Sequence, residues 1–565
     1  MTLLRADATG TQEALSLSGY RSLFCSVRLR KVKPMLGDEI VRYLGKLTVV
    51  MGLVVGVIPG SACLADSVQL TPKDGGVLRV AQSSDPLCLD PQQAGNNDSL
   101  NIGRQITDSL TDQRPDTGEI VPWLASRWTV SQDSRVFTFY LRPGVTFSDG
   151  TPVDAAAVKT NFEGILKLGA RASLGSGYLA GLKEIQTPDR DTVVLTFSKP
   201  NVQFLQASST MSLGLLSPGT LARDAGARCQ GQLVGSGPFT VTSFVHNQRV
   251  VLTRREDYAW PSSLAGHQGK AYLSGIDYRI VPESGVRTGS LLSGQIDVDT
   301  GVLAQDERLF TAQALPVIAR PNPGLVFSLF PNETDPVLGH KEVRLALNKA
   351  VNRQEIKNVI SHYQSSASSA LAGTTPFYTD HASELGFDLA GSKKILDDAG
   401  WRPGSDGIRE RDGQRLVIHL SYWQSAPYLE LLQEQLRAVG IDLVLNQTTI
   451  SQTSALQNTG KYQVQFYNLT RSDPDILRAV FAVDAHNVNN RKAEPVDALL
   501  DASSAELDVE RRRNLISQAV TLLIEEGHII PLVEVTTVVA TAKTVHGLHH
   551  EASSRLQFFD TWIGR

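Results

Sequence analysis

Residues 122–161 read PWLASRWTVSQDSRVFTFYLRPGVTFSDGTPVDAAAVKTN, and this stretch restricts the fold more than any other. Val136-Phe137-Thr138-Phe139-Tyr140-Leu141 alternates in the manner of a half-buried strand. Arg142-Pro143-Gly144 breaks it, and Phe147 precedes a polar turn, Ser148-Asp149-Gly150-Thr151-Pro152. Gly150 can take a positive φ, and Pro152 presets the chain for a helix opening near Val153. Strand, turn and helix thus follow one another without slack. The same succession recurs downstream. Residues 416–422, 428–439 (ended by Gly440) and 441–445 read as a β-α-β unit. Residues 193–197, 239–244, 276–281, 325–330 and 461–467 read as strands. Helices are expected with apolar Ile102, Ile106 and Leu110 at spacing four on one face, and over residues 343–353, 392–401 and 506–527. Strands alternating with helices predict an α/β architecture.

With 565 residues, 41% of them hydrophobic and 20% charged, the chain can bury more than one core. A formal charge of −4 leaves no electrostatic footprint for nucleic acid. No G-x-S-x-G elbow, H-E-x-x-H, zinc-spaced cysteine set or Walker loop occurs, so no catalytic, cofactor or metal reading arises, and a secreted enzyme is a remote alternative. His546, His549 and His550 form the one histidine cluster and read as solvated surface residues.

Residues 47–58, LTVVMGLVVGVI, are apolar but too short for a bilayer, which needs roughly 20 residues. Arg42 and Lys46 precede them and Ser61-Ala62-Cys63-Leu64-Ala65 follows, the order of a secretory signal peptide cleaved after Ala65. Residues 1–65 are therefore read as an N-terminal extension and signal peptide, and the mature chain as periplasmic. Cys63 offers the alternative of a lipid anchor. Of four cysteines, Cys88 and Cys229 remain after cleavage, and an oxidising compartment permits a structural bridge between them.

The 122–161 stretch also resembles the extracytoplasmic solute-binding proteins of ABC importers, specifically the peptide/nickel-binding family 5. That family reads A-x-x-W and then F-x-L-R-x-G-V-x-F-x-D-G-x-P-V-x-A-x-D-V. The chain departs at Ala157, where the family has an Asp that would cap or charge a helix start. Gly235-Ser236-Gly237-Pro238-Phe239 is similar to the family's G-T-G-P-F, residues 287–297 to its L-x-x-G-x-x-D helix, and residues 343–353 to V-R-x-A-L-x-x-A-x-D-R, with Asn352 for Asp. The resemblance covers residues 74–563. It implies a two-lobed periplasmic binding protein fold with a hinge and an extra subdomain in the first lobe. The first lobe would take residues 74–321, the second 322–533, and 534–565 would return to the first. Pro321-Asn322-Pro323-Gly324 fits a crossover between them.

The resemblance implies a receptor that captures peptides or related solutes between its lobes and delivers them to an ABC permease in the inner membrane. It places the loop at Leu89-Asp90-Pro91 at the cleft, with Asn96 and Asn97 after it as candidates. Tyr467, Asn468, Thr470, Arg471 and Asp473 leave a strand into an Asp-Pro break, a favoured position for ligand contacts. Peptide-binding members carry an Asp three residues before the acid-Pro pair, gripping the peptide's ammonium; Thr470 stands there in this chain. Beside it, Arg471 suits a ligand carboxylate, unless it pairs internally with Asp473 or Asp475. Asp473 would be the partner for a ligand amine, and Trp423 could wall the cleft or pack in the core. The Thr470-Arg471 pair opens an alternative class, carboxylate-rich ligands such as opines or metal chelates.

Overall fold

A computed structural model describes residues 70–423 and 426–564, so the expected signal peptide and Cys63 lie outside the described residues. Two sheets organise the chain. The first has seven strands in the order Val317–Pro321, Thr536–Thr541, Val298–Asp299, Val77–Gln82, Gly275–Ile280, Arg249–Arg254, Phe239–Val245. The second has five, in the order Asp442–Gln447, Val417–Tyr422, Val464–Thr470, Gly324–Pro331, Ile530–Val533. Val417–Tyr422 runs parallel to Asp442–Gln447, with the helix Tyr428–Arg437 as the crossover. Such a pair needs a long connection, which the helix supplies.

The chain crosses between the sheets twice, at Asn322-Pro323 and between Val533 and Thr536. The crossings are tied together: Asn322 N–H donates to the Val535 carbonyl at 2.7 Å, and Thr537 Oγ1 donates to Asn322 Oδ1 at 2.7 Å. Gly324 opens the second sheet at φ 107°, and a Cβ there would stand 2.3 Å from the Leu469 carbonyl oxygen. Only glycine lets the crossover strand lie that close to the Val464–Thr470 strand.

The inserted subdomain is a four-stranded antiparallel sheet, ordered Ala125–Val130, Val136–Leu141, Thr192–Phe197, Leu182–Gln186. The alternation of the second strand puts Phe137, Phe139 and Leu141 into the core, where Phe204 sits edge-on to Phe137 at 5.2 Å and to Phe139 at 6.1 Å. Truncating Phe137 to Ala would cost about 3–5 kcal/mol. The helix Ala155–Leu168 follows, and Asp154 caps it by accepting from Ala157 N–H at 3.0 Å. The capping role expected of an acid at position 157 is thus filled from position 154.

Two sequence expectations shift. The first helix, Asn97–Ile106, stops at Thr107 and leaves Leu110 outside. The helix expected over 343–353 ends at Ala350, and Asn352 caps a new one, Arg353–Lys357, through Gln354 and Glu355 N–H. An Asn that can satisfy orphan N–H groups restarts the helix there. In Gly235-Ser236-Gly237-Pro238, the glycines serve close approach rather than a turn alone: a Cβ on Gly235 would fall 1.8 Å from the Ile106 carbonyl oxygen.

Cys88 and Cys229 are joined by a disulfide across 141 residues. Beside it Arg228 pairs with Asp90 at 2.6 Å, both fully buried. The acid of the Leu89-Asp90-Pro91 loop is therefore an internal anchor that holds the Ala225–Cys229 helix.

Candidate ligand-binding cleft

The lobes meet along a line of named contacts. Val202 N–H donates to the Ser504 carbonyl at 3.1 Å, and Lys199 pairs with Asp484 at 3.1 Å. Glu307 accepts from the Ser361 hydroxyl and from His362 N–H at 3.1 Å. Gln113 Nε2 reaches the Ser472 carbonyl at 3.5 Å. Between the inserted subdomain and the second lobe lies a cavity of about 680 Å³. Lys199, Asn201 and Gln203 line one wall, and Arg471, Asp475 and Arg478 the other.

The Val464–Thr470 strand delivers the second wall. Its first residues are buried, and Tyr467 stacks on Phe330 with ring centres 4.3 Å apart. Tyr467, a candidate ligand residue by sequence, is therefore part of the second lobe's core. Asn468 and Thr470 are half-buried at the strand's end. After the strand, Arg471 N–H donates to the Pro323 carbonyl at 2.9 Å, fixing the backbone against the crossover. The Arg471 side chain crosses the boundary and lies over the Tyr178 ring at 4.6 Å.

Neither acid expected near Arg471 forms an ion pair with it. Asp473 is held two-pronged by Arg512, at 2.7 and 3.1 Å, with both side chains buried. This corrects its assignment as the partner of a ligand amine: a carboxylate already matched by a buried guanidinium has no free oxygen edge to offer. Asp475 is buried, and its Oδ1 has no hydrogen-bond partner among the described residues. Burial pushes its pKa up to about 7; the Asp473 charge adds to this, and Arg471 and Arg512 oppose it. The other charges of the cavity are matched, since Arg478 pairs with both Asp484 and Asp501. The sequence reading offered Asp475 only as an internal partner for Arg471, because burial without a partner leaves no mark in a motif.

The remaining candidates are placed as follows. Asn96 caps the Asn97–Ile106 helix, accepting from Ser99 N–H at 2.9 Å and donating to the Pro86 carbonyl, a structural task. Asn97 is exposed and accepts from Arg555 Nη2 at 3.0 Å. Trp423 follows the strand Val417–Tyr422 of the second sheet with 36% of its surface exposed, so it is not a core residue. His550, expected at the surface, is buried, which pushes its pKa down to about 4. His546 packs on Trp562 instead, on a separate strand pair. Among the described residues no group of His, Cys, Asp and Glu is arranged to hold a metal ion, and no helix is long and apolar enough to cross a membrane.

Residues 119–487 match the bacterial extracellular solute-binding proteins, family 5. The nickel-binding periplasmic protein of Escherichia coli K12 is 26% identical over 445 residues, 75% of this chain and 83% of its own. The probable D,D-dipeptide-binding periplasmic protein DdpA of the same organism is 26% identical over 499 residues, 84% of this chain and 91% of its own. Among solved structures, NikA from Brucella suis in complex with Fe(III)-EDTA superposes with a TM-score of 0.74 at 25% identity, covering 86% of this chain and 100% of that one. With two sheets bridged by two crossings, a cavity between them and a match over most of its length, the chain belongs to the bacterial extracellular solute-binding proteins of family 5.

Proposed function

We propose that this solute-binding protein captures a small ligand carrying both a carboxylate and an amine, a peptide or related amino-acid derivative, between its lobes. The carboxylate meets Arg471 and the amine meets Asp475. One observation carries this reading: among the described residues, a guanidinium free of ion pairs and a buried carboxyl oxygen without a donor line the same cavity. A buried unpaired polar group is costly, and a zwitterionic ligand would satisfy both at once. The probable D,D-dipeptide-binding relative fits such a ligand. Delivery goes to an ABC permease in the inner membrane, with closure of the lobes about the two crossings as the signal, and the ligand leaves chemically unchanged. The protein works in the periplasm after a signal peptide ending at Ala65 is removed; intact mass of protein from its native envelope should then begin at Asp66.

A second reading, a carboxylate-rich ligand such as an opine or a metal chelate, is favoured by Thr470 standing where peptide binders carry an acid, and by the Fe(III)-EDTA held by the Brucella suis relative. Mass spectrometry of small molecules released from the purified protein decides between them. Compounds with an amine and one or two carboxylates support the first reading. Polycarboxylates or their metal complexes select the second.

A further inference from the structure

A second cavity, of about 390 Å³, lies wholly within the first lobe. Trp123, Tyr258 and Phe559 contribute its aromatic walls. The hairpin formed by Thr111–Gln113 and Ile120–Pro122 supplies Asp112 and Gln113, and the Asn97–Ile106 helix supplies Arg104. The volume falls in the range of small-molecule sites, and the lining has their usual make-up of aromatic walls and a few convergent polar groups.

Those polar groups are incompletely satisfied. Gln113 is 3% exposed, and its Oε1 has no hydrogen-bond partner among the described residues. Arg104 is 2% exposed; its Nη atoms donate to Ser109 and to the Ser209 carbonyl, but its Nε has no acceptor. Asp112 accepts from the Ser262 hydroxyl and from Gln113 N–H, and forms no ion pair among the described residues. Burial raises its pKa. Two other charged residues of the lining are paired, while among the described residues Asp116 accepts only from Thr117 N–H. Asp560 lies 2.8 Å from His267, and Arg114 lies 2.9 Å from Glu119. Burial pulls Glu551 upward, but Arg104 and Arg555 hold it below the usual carboxylate range. The Arg104 charge opposes the rise of the Asp112 pKa, but no cation pairs with Asp112 directly among the described residues, Gln113 Oε1 has no donor and Arg104 Nε has no acceptor.

We infer that this cavity is a second ligand site, apart from the interlobe cleft, for a small aromatic amine: the ring between Trp123, Tyr258 and Phe559, the ammonium on Asp112 and Gln113 Oε1, and a ring hydroxyl or heteroatom on Arg104 Nε. An ammonium gains from aromatic faces as well as from the carboxylate. An anion of the same shape would meet the unpaired Asp112 and is excluded.

Tyramine, p-cresol and 4-hydroxyphenylacetate share one ring and differ in charge, and calorimetric titration of each into the protein tests the site. Tyramine should bind at least about tenfold more tightly than p-cresol, with no binding of the acid. Asp112→Asn should cost tyramine about tenfold and leave p-cresol unchanged. Ala265→Trp, at the half-buried rim, should block both, and Asp475→Asn should change neither. Absence of tyramine binding, equal affinity for all three probes, or binding abolished by Asp475→Asn but kept by Ala265→Trp overturns the proposal. The last outcome would place the amine between the lobes and leave the reading of that cleft standing.

Discussion

Arg471 and Asp473 stand two residues apart on one loop, yet they belong to different regions of the molecule. Asp473 faces the interior of the second lobe, where Arg512 meets it through two hydrogen bonds and both charges are buried. Arg471 faces the first lobe, rests on Tyr178 and forms no ion pair among the described residues. The first arrangement holds a lobe together; the second leaves a cation for something absent from the protein itself. Proximity in sequence therefore says little about which charge is structural. What separates them is whether the fold has already supplied a counter-charge.

Breaking the interior pair should have the largest effect. Asp473→Ala leaves the buried Arg512 guanidinium uncompensated and should destabilise the ligand-free protein by about 3–5 kcal/mol, read by chemical denaturation. Unchanged stability would mean that the two regions do not differ as described.

Asp475 sharpens the comparison through pH. Its folded-state pKa, about 7, lies above the ordinary aspartate value of 3.8. Ionised, it disfavours the fold: the penalty is absent below about pH 4, grows as pH rises towards 7 and is complete above it, with a ceiling on the order of 4 kcal/mol. Asp475→Asn should therefore raise the melting temperature at pH 8 and change it little at pH 4. An equal gain at both values would show that the carboxyl is not titrating in that window.

Arg471→Ala should weaken ligand binding by about 2–5 kcal/mol while the melting of the ligand-free protein stays close to the parent. Strong destabilisation of the free protein with affinity retained would move Arg471 to the structural side of the comparison. The smallest effect belongs to the interlobe pair Lys199–Asp484. Both side chains are largely solvated, at 72% and 45% exposure, so solvent and salt screen them. Lys199→Ala should cost about 0–1 kcal/mol, and the loss should vanish at high ionic strength.

Much of the architecture was legible beforehand. The alternation of residues 136–141, the glycine-closed helix before residues 441–445, and Pro321-Asn322-Pro323-Gly324 announce a strand, a β-α-β unit and a crossover. Each rests on local periodicity or backbone preference. Helix boundaries were less legible, because Asn352 reads as one more residue of a periodic run until its side chain is seen capping the next helix.

The site divides along the same line. The sequence by itself determined that the chain alternates strands and helices, where it turns and breaks, and that Thr470, with Arg471 beside it, stands where peptide binders of this family carry an acid. Those properties are written in residues a few positions apart. The tertiary structure alone decided that Tyr467 is core, that Asn96 is a cap, that Asp473 is taken by Arg512, and that Asp475 and Gln113 keep unpaired oxygens beside cavities. Burial and pairing depend on residues far away in the chain: Arg512 lies 39 positions from Asp473, and Ser472 lies 359 from Gln113. Whether a charge is matched is a property of the packed fold, and local sequence carries no record of it.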